Sequence, residues 1–95
     1  MGMSANGWSA EHRGHRIDVE VWASGFLSGG ASLFVDDQRV DTVPQFKSTF
    51  SRFTLRHCLR DGEATLRIRV EIRQRLGTSA KLFVDDAEVP LTEGY

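Results

Sequence analysis

The segment Ala31-Ser32-Leu33-Phe34-Val35-Asp36-Asp37 recurs 49 positions later as Ala80-Lys81-Leu82-Phe83-Val84-Asp85-Asp86. The same gap-free offset places Ile17, Val19 and Val21 on Leu66, Ile68 and Val70, and Val40 on Val89. Two apolar strands, the connection between them and the turn that follows all return together, so one supersecondary unit is used twice. Two copies cannot cap a solenoid. They can cover each other's apolar faces.

The periodicity identifies the unit. Arg16–Trp22 alternates polar and apolar residues, and Thr65–Arg73 does so more emphatically, with Leu66, Ile68, Val70 and Ile72 on one face and Arg67, Arg69, Glu71 and Arg73 on the other. That is the pattern of strands with one buried face. Each leads through a Gly- or Ser-containing connection, 23–30 or 74–79, into a Leu-Phe-Val strand. An Asp-Asp turn and a short return strand follow. Earlier strands are predicted at 7–12 and 51–59, the second closed by a turn over Arg60-Asp61-Gly62-Glu63.

No stretch carries apolar groups at helical spacing. The reading is all-β: an eight-stranded antiparallel sandwich from two four-strand meanders, with a small closed barrel as the alternative. Residues 1–95 form one domain, with repeats at about 7–41 and 51–91 and a connection at about 42–50 containing Pro44. Disorder is expected at 1–7 and 92–95. The expected core is Ile17, Val19, Val21, Leu33, Val35, Leu66, Ile68, Val70, Leu82 and Val84.

This layout resembles the Fas apoptosis inhibitory molecule family, whose β-sandwich is also built from a repeated four-strand unit. The resemblance is carried by Trp8, by Gly14-His15-Arg16-Ile17 opening the second strand, and by Leu33-Phe34-Val35-Asp36-Asp37. The family has Val-Asp-Gly where both repeats here have Val-Asp-Asp. The resemblance implies a non-enzymatic, protein-binding sandwich, with no catalytic residues to carry over; it does not imply a role in apoptosis.

Composition excludes several function classes. A net charge of −1 argues against general electrostatic capture of nucleic acid. The single cysteine, Cys58, has no internal disulfide partner, 1–10 lacks the pattern of a secretory leader, and no apolar run is long enough to span a bilayer. A cytoplasmic monomer or small oligomer is expected, with no membrane or nucleic-acid partner. His12, His15 and His57 lack zinc-ligand spacing and read as turn or surface histidines. Neighbouring His57 and Cys58 point to opposite faces of a strand, so they cannot act as a nucleophile pair. Cys58 is expected to be buried or half-buried. The Asp-Asp pairs lack the ligand set of a calcium loop. No enzyme activity, metal or cofactor is expected.

The outward faces are the candidate sites. Glu20 and Trp22 lie opposite Val19 and Val21, and Phe34 lies opposite its Leu and Val neighbours. Arg67, Arg69 and Arg73 form a basic stripe on the second repeat. Residues 1–48 carry a net charge of −2 and residues 49–95 a net charge of +1. The expected function is a non-catalytic module that binds a protein or peptide through Trp22, Phe34, Glu20, Arg67, Arg69 and Arg73. One alternative is a self-associating structural protein joined through acidic and basic faces. The other is a carbohydrate or small-ligand module using Trp22 and the Asp-Asp turns.

Overall fold

A computed structural model of the chain describes residues 4–24, 28–46, 52–74 and 78–94. Among these the strands are β1 (Ser4–His12), β2 (His15–Ser24), β3 (Ser28–Val35), β4 (Gln38–Phe46), β5 (Arg52–Asp61), β6 (Ala64–Gln74), β7 (Thr78–Val84), β8 (Ala87–Val89) and β9 (Thr92–Glu93). They form two antiparallel sheets, ordered β4-β3-β2-β1-β9 and β5-β6-β7-β8. The molecule is an all-β sandwich, not a closed barrel. The described residues contain no helix long and apolar enough to cross a membrane.

Strand alternation builds the core. Every residue of the expected core is buried, and Trp8, Ala31, Leu55 and Ile72 join it. Trp8 is inward because it pairs with Val19, and cross-strand partners share a face.

Each Leu-Phe-Val strand ends in a two-residue turn. Asp36 and Asp37 have φ of 51° and 67°, and Asp85 and Asp86 have 51° and 66°. Positive φ at both positions defines the type I′ hairpin, whose twist matches that of the strands. The first aspartate of each pair also extends the ladder. Asp36 N donates to Arg16 O at 2.9 Å, and Arg16 N donates to Asp36 Oδ1 at 3.0 Å. Asp85 and Arg67 repeat both bonds, at 2.9 and 3.0 Å. The carboxylate thus supplies the acceptor that a carbonyl would supply had the strand continued.

These bonds show that the repeats do not superpose at one gap-free offset. Ile17 faces Val35, but Ile68, not Leu66, faces Val84. Measured from the turn, β6 is therefore displaced by two residues relative to β2. The slip leaves burial unchanged because side chains alternate with period two, whereas a slip of one would have inverted both faces. Its result is a longer projection: the ends of β5 and β6 extend past the β7–β8 turn as a two-stranded ribbon.

Other expectations are corrected at the ends of elements. The β5–β6 loop is Gly62-Glu63, with Asp61 still paired to Ala64. Gly62 has φ of 65° and Glu63 is not in the positive region, the II′ pattern with glycine first. Pro44 lies within β4, which reaches Phe46, so part of the expected connection is strand. Proline is tolerated there because β4 is an edge strand and its ladder is irregular between Val43 and Phe46. The remaining connection, 47–51, lies outside the described residues. Residues 4–7 belong to β1, and 92–93 form β9, a ninth strand that leaves the second repeat and pairs with β1 at Trp8 and Ser9.

Truncating Ile68 to Ala removes a side chain that is 2 % exposed, and should cost about 2–5 kcal/mol in urea unfolding. A loss under about 1 kcal/mol would contradict its central packing. Asp37→Gly should act in the opposite direction. It relieves a non-glycine residue held at φ 67°, and should raise stability by about 1 kcal/mol in the same measurement.

Candidate functional site

The two repeats present unlike outer faces. On the sheet containing β1–β4, the outward positions of β2 are Arg16, Asp18, Glu20 and Trp22. Trp22 pairs across the ladder with buried Gly30 and is half-buried. Phe34 is also half-buried, with the Arg39 guanidinium 5.8 Å from its ring centroid. Asp18 is only 6 % exposed although it lies on this outer face, and Arg16 Nε approaches its carboxylate at 3.0 Å. Ser32 is buried likewise, its hydroxyl bonded to that of Thr42 at 3.1 Å. Arg16 and Asp18 are thus already matched to each other, whereas Glu20 forms no side-chain ion pair among the described residues. Phe26 and the side chain of Phe46 lie outside what is described.

Trp22 and the Asp36-Asp37 turn lie at opposite ends of the β2–β3 ladder. Six strand residues, about 20 Å, separate Trp22 from Arg16 beside that turn. Asp85-Asp86 belongs to the other sheet. A carbohydrate site combining Trp22 with an aspartate turn is therefore not assembled.

The outer face of the second sheet is different in kind. Arg52, Arg56 and Arg60 come from β5, Arg67, Arg69 and Arg73 from β6, and Lys81 from β7. Only two strand carboxylates, Glu71 and Glu88, share the face. Of these cations, only Arg69 forms a side-chain ion pair among the described residues. Its Nη1 meets Asp86 at 3.1 Å, and its Nε lies 3.4 Å from Glu71 without hydrogen-bond alignment. The same guanidinium covers the Phe83 ring at 4.5 Å.

Two pairings place like charges directly opposite: Arg56 with Arg69, and Arg52 with Arg73. Arg56 N donates to Asp41 Oδ2 at 2.7 Å, so its backbone points away from β6. The Arg56–Arg69 pair is therefore the non-hydrogen-bonded kind, in which side chains stand closest. Such opposition costs a few tenths to about 1 kcal/mol per pair. A groove of about 530 Å³ opens beside this pair, lined by Arg56, His57, Cys58, Arg67, Ile68, Arg69 and Asp86. It lies where β6 outruns the β7–β8 turn. Cys58 is exposed there, not buried, because even-numbered positions of β5 face outward.

The expected site residues consequently divide. Trp22, Phe34 and Glu20 lie on one sheet, and Arg67, Arg69 and Arg73 on the other. Arg52, Arg56 and Arg60 were missed, although their spacing of four keeps them on one face and the Gly62 hairpin sets Arg52 and Arg56 against β6 arginines.

His15 is the other residue with an unforeseen role. Its Nδ1 lies 2.8 Å from Asp36 Oδ2, and its Nε2 lies 3.4 Å from Asp61 Oδ1. Asp36 belongs to the first repeat and Asp61 to β5, so the imidazole clasps the two sheets at one end. Only the imidazolium donates from both nitrogens. Bonding to Asp36, then to Asp61, raises the His15 pKa, while His15 and Arg16 N lower that of Asp36. At the corresponding position of the second repeat stands Ala64. Among the described residues no group of three or more His, Cys, Asp or Glu is placed to hold a metal ion.

Compared with protein-family models, curated proteins and solved structures, the chain finds no match in any of the three.

The clasp makes stability depend on pH. A raised His15 pKa contributes stability that is complete below its unfolded value, near 6.5, and is lost as pH rises through the folded value. A lowered Asp36 pKa contributes above about 3.9 and is lost as pH falls through its folded value. The difference in melting temperature between the parent and a His15→Asn variant should be largest near about pH 5–6 and shrink by about pH 9. A difference that grows with pH would refute a charged clasp.

Proposed function

We propose that this protein is a non-catalytic binding module whose interaction surface is the basic outer face of β5, β6 and β7. The observation that carries this reading is a face on which Arg52, Arg56, Arg60, Arg67 and Arg73 form no side-chain ion pair among the described residues, and on which Arg56 directly opposes Arg69 and Arg52 opposes Arg73. A fold under selection for stability alone would relieve such opposition by placing a carboxylate on one strand. Its retention is explained if the neutralising groups arrive on a partner. The resemblance to the Fas apoptosis inhibitory molecule family supports the same assignment, a sandwich that binds protein and does no chemistry. The partner is accordingly read as an acidic protein or peptide, with no requirement for a cofactor. An exposed unpaired thiol at Cys58 is compatible with a reducing compartment, which favours the cytoplasm.

Trp22 and Phe34 have less support as the primary contact, because each is already partly covered. Self-association through complementary faces also has less support. On the acidic side Asp18 is buried against Arg16, which leaves Glu20 as the outward carboxylate of β2 for a second copy to meet.

Retention on immobilised poly-glutamate, followed across a salt gradient, tests the reading. The parent should be held at low salt and released as salt rises. An Arg67→Glu/Arg73→Glu variant should flow through, and Trp22→Ala should be held like the parent. Loss of retention in Trp22→Ala alone would move the site to the other sheet. A molar mass that climbs with concentration in light scattering would favour self-association.

A further inference from the structure

The two opposed arginine pairs are four residues apart on each strand, Arg52 and Arg56 on β5 and Arg73 and Arg69 on β6. Strand geometry makes that separation about 13 Å. An extended polypeptide places side chains i and i+4 on one side at the same separation. Resting on the reading of this sheet as the interaction surface, we infer that the occupant is an extended acidic segment of a partner protein, carrying carboxylates four residues apart. One carboxylate enters the groove beside Arg56, Arg67 and Arg69, and the other meets Arg52 and Arg73.

Two features favour this occupant over a nucleic acid strand. Glu71 lies between the two arginine pairs and interrupts the stripe, so a continuous line of phosphates would be repelled at its centre. Phe83 already lies beneath the Arg69 guanidinium, which leaves no described aromatic platform on this face for stacked bases. A spaced pair of carboxylates satisfies both arginine pairs and leaves Glu71 beside neutral side chains. In the groove, Asp86 holds Arg69 Nη1 at 3.1 Å and so fixes the orientation of one wall.

The experiment uses three fluorescein-labelled probes and the intact chain. One is a serine–threonine peptide whose glutamates are separated by three residues. The second has the same composition with its glutamates adjacent. The third is single-stranded DNA of equal formal charge. Fluorescence anisotropy at low salt should show the spaced peptide bound roughly tenfold more tightly than the adjacent one, with DNA weakest. An Arg52→Gln/Arg56→Gln variant should lose that preference. It should also melt about 1–5 °C higher than the parent, because each substitution removes a like-charge opposition and spares the Arg69–Phe83 contact. That combination of lost binding and gained stability is not produced by damage to the fold. Equal binding of both peptides would overturn the spacing while leaving a basic interaction face. Tightest binding of DNA would overturn the choice of partner, and failure of all three probes would overturn both the occupant and the surface.

Discussion

Register is what the rest of this structure depends on, and one aspartate carboxylate per repeat reinforces it. Where β3 and β7 turn away, Asp36 and Asp85 remain bonded in both directions to the strand they leave. Each fixes which residue of β2 or β6 stands at the end of the ladder, and hence which residues face each other along its length. An Asp-Asp dipeptide at positive φ is a strained choice for a type I′ turn, since glycine or asparagine would adopt it more easily. The added ladder bonds are what the first aspartate contributes in return. No cation is needed to explain either carboxylate.

Because side chains alternate with period two, the two-residue difference between repeats costs nothing in burial. It does alter the ends. The second repeat gains a projecting ribbon, and Arg67 and Cys58 stand on that ledge beside the groove. The two halves therefore share one interior while differing outside in both charge and outline. On one sheet Arg16 closes on Asp18, and Arg39 lies over the Phe34 ring. On the other, only Arg69 among the outward cations forms a side-chain ion pair within the described residues.

Most of the architecture was legible from alternation alone. Ile17, Val19, Val21 and their counterparts lie where period two puts them, and Arg67, Arg69 and Arg73 point outward for the same reason. The parts that were not legible depend on pairing partners, which periodicity does not name. Trp8 enters the core because Val19 stands opposite it. Leu66 and Ile68 are equivalent by parity, so nothing local distinguishes an offset of 49 from the observed slip. The arginines of β5 became part of the site only when the Gly62 turn set them against β6. His15 owes its role to Asp61 of the other repeat, a contact made by the packing of the sheets.

The pairing of β9 with β1 has a consequence in time. It joins Trp8 to Glu93, a contact between residues far apart in the chain, and Gly94 N adds a bond to Gly7 O at 2.6 Å. Contacts of such separation carry the largest loop-closure entropy and form after the local hairpins. Until then the edge of β1 lies bare, and unpaired edges are where chains join wrongly. The second repeat thus does more than cover the apolar face of the first. Its last strand seals the first sheet, so the folding of one half is completed only by the arrival of the other.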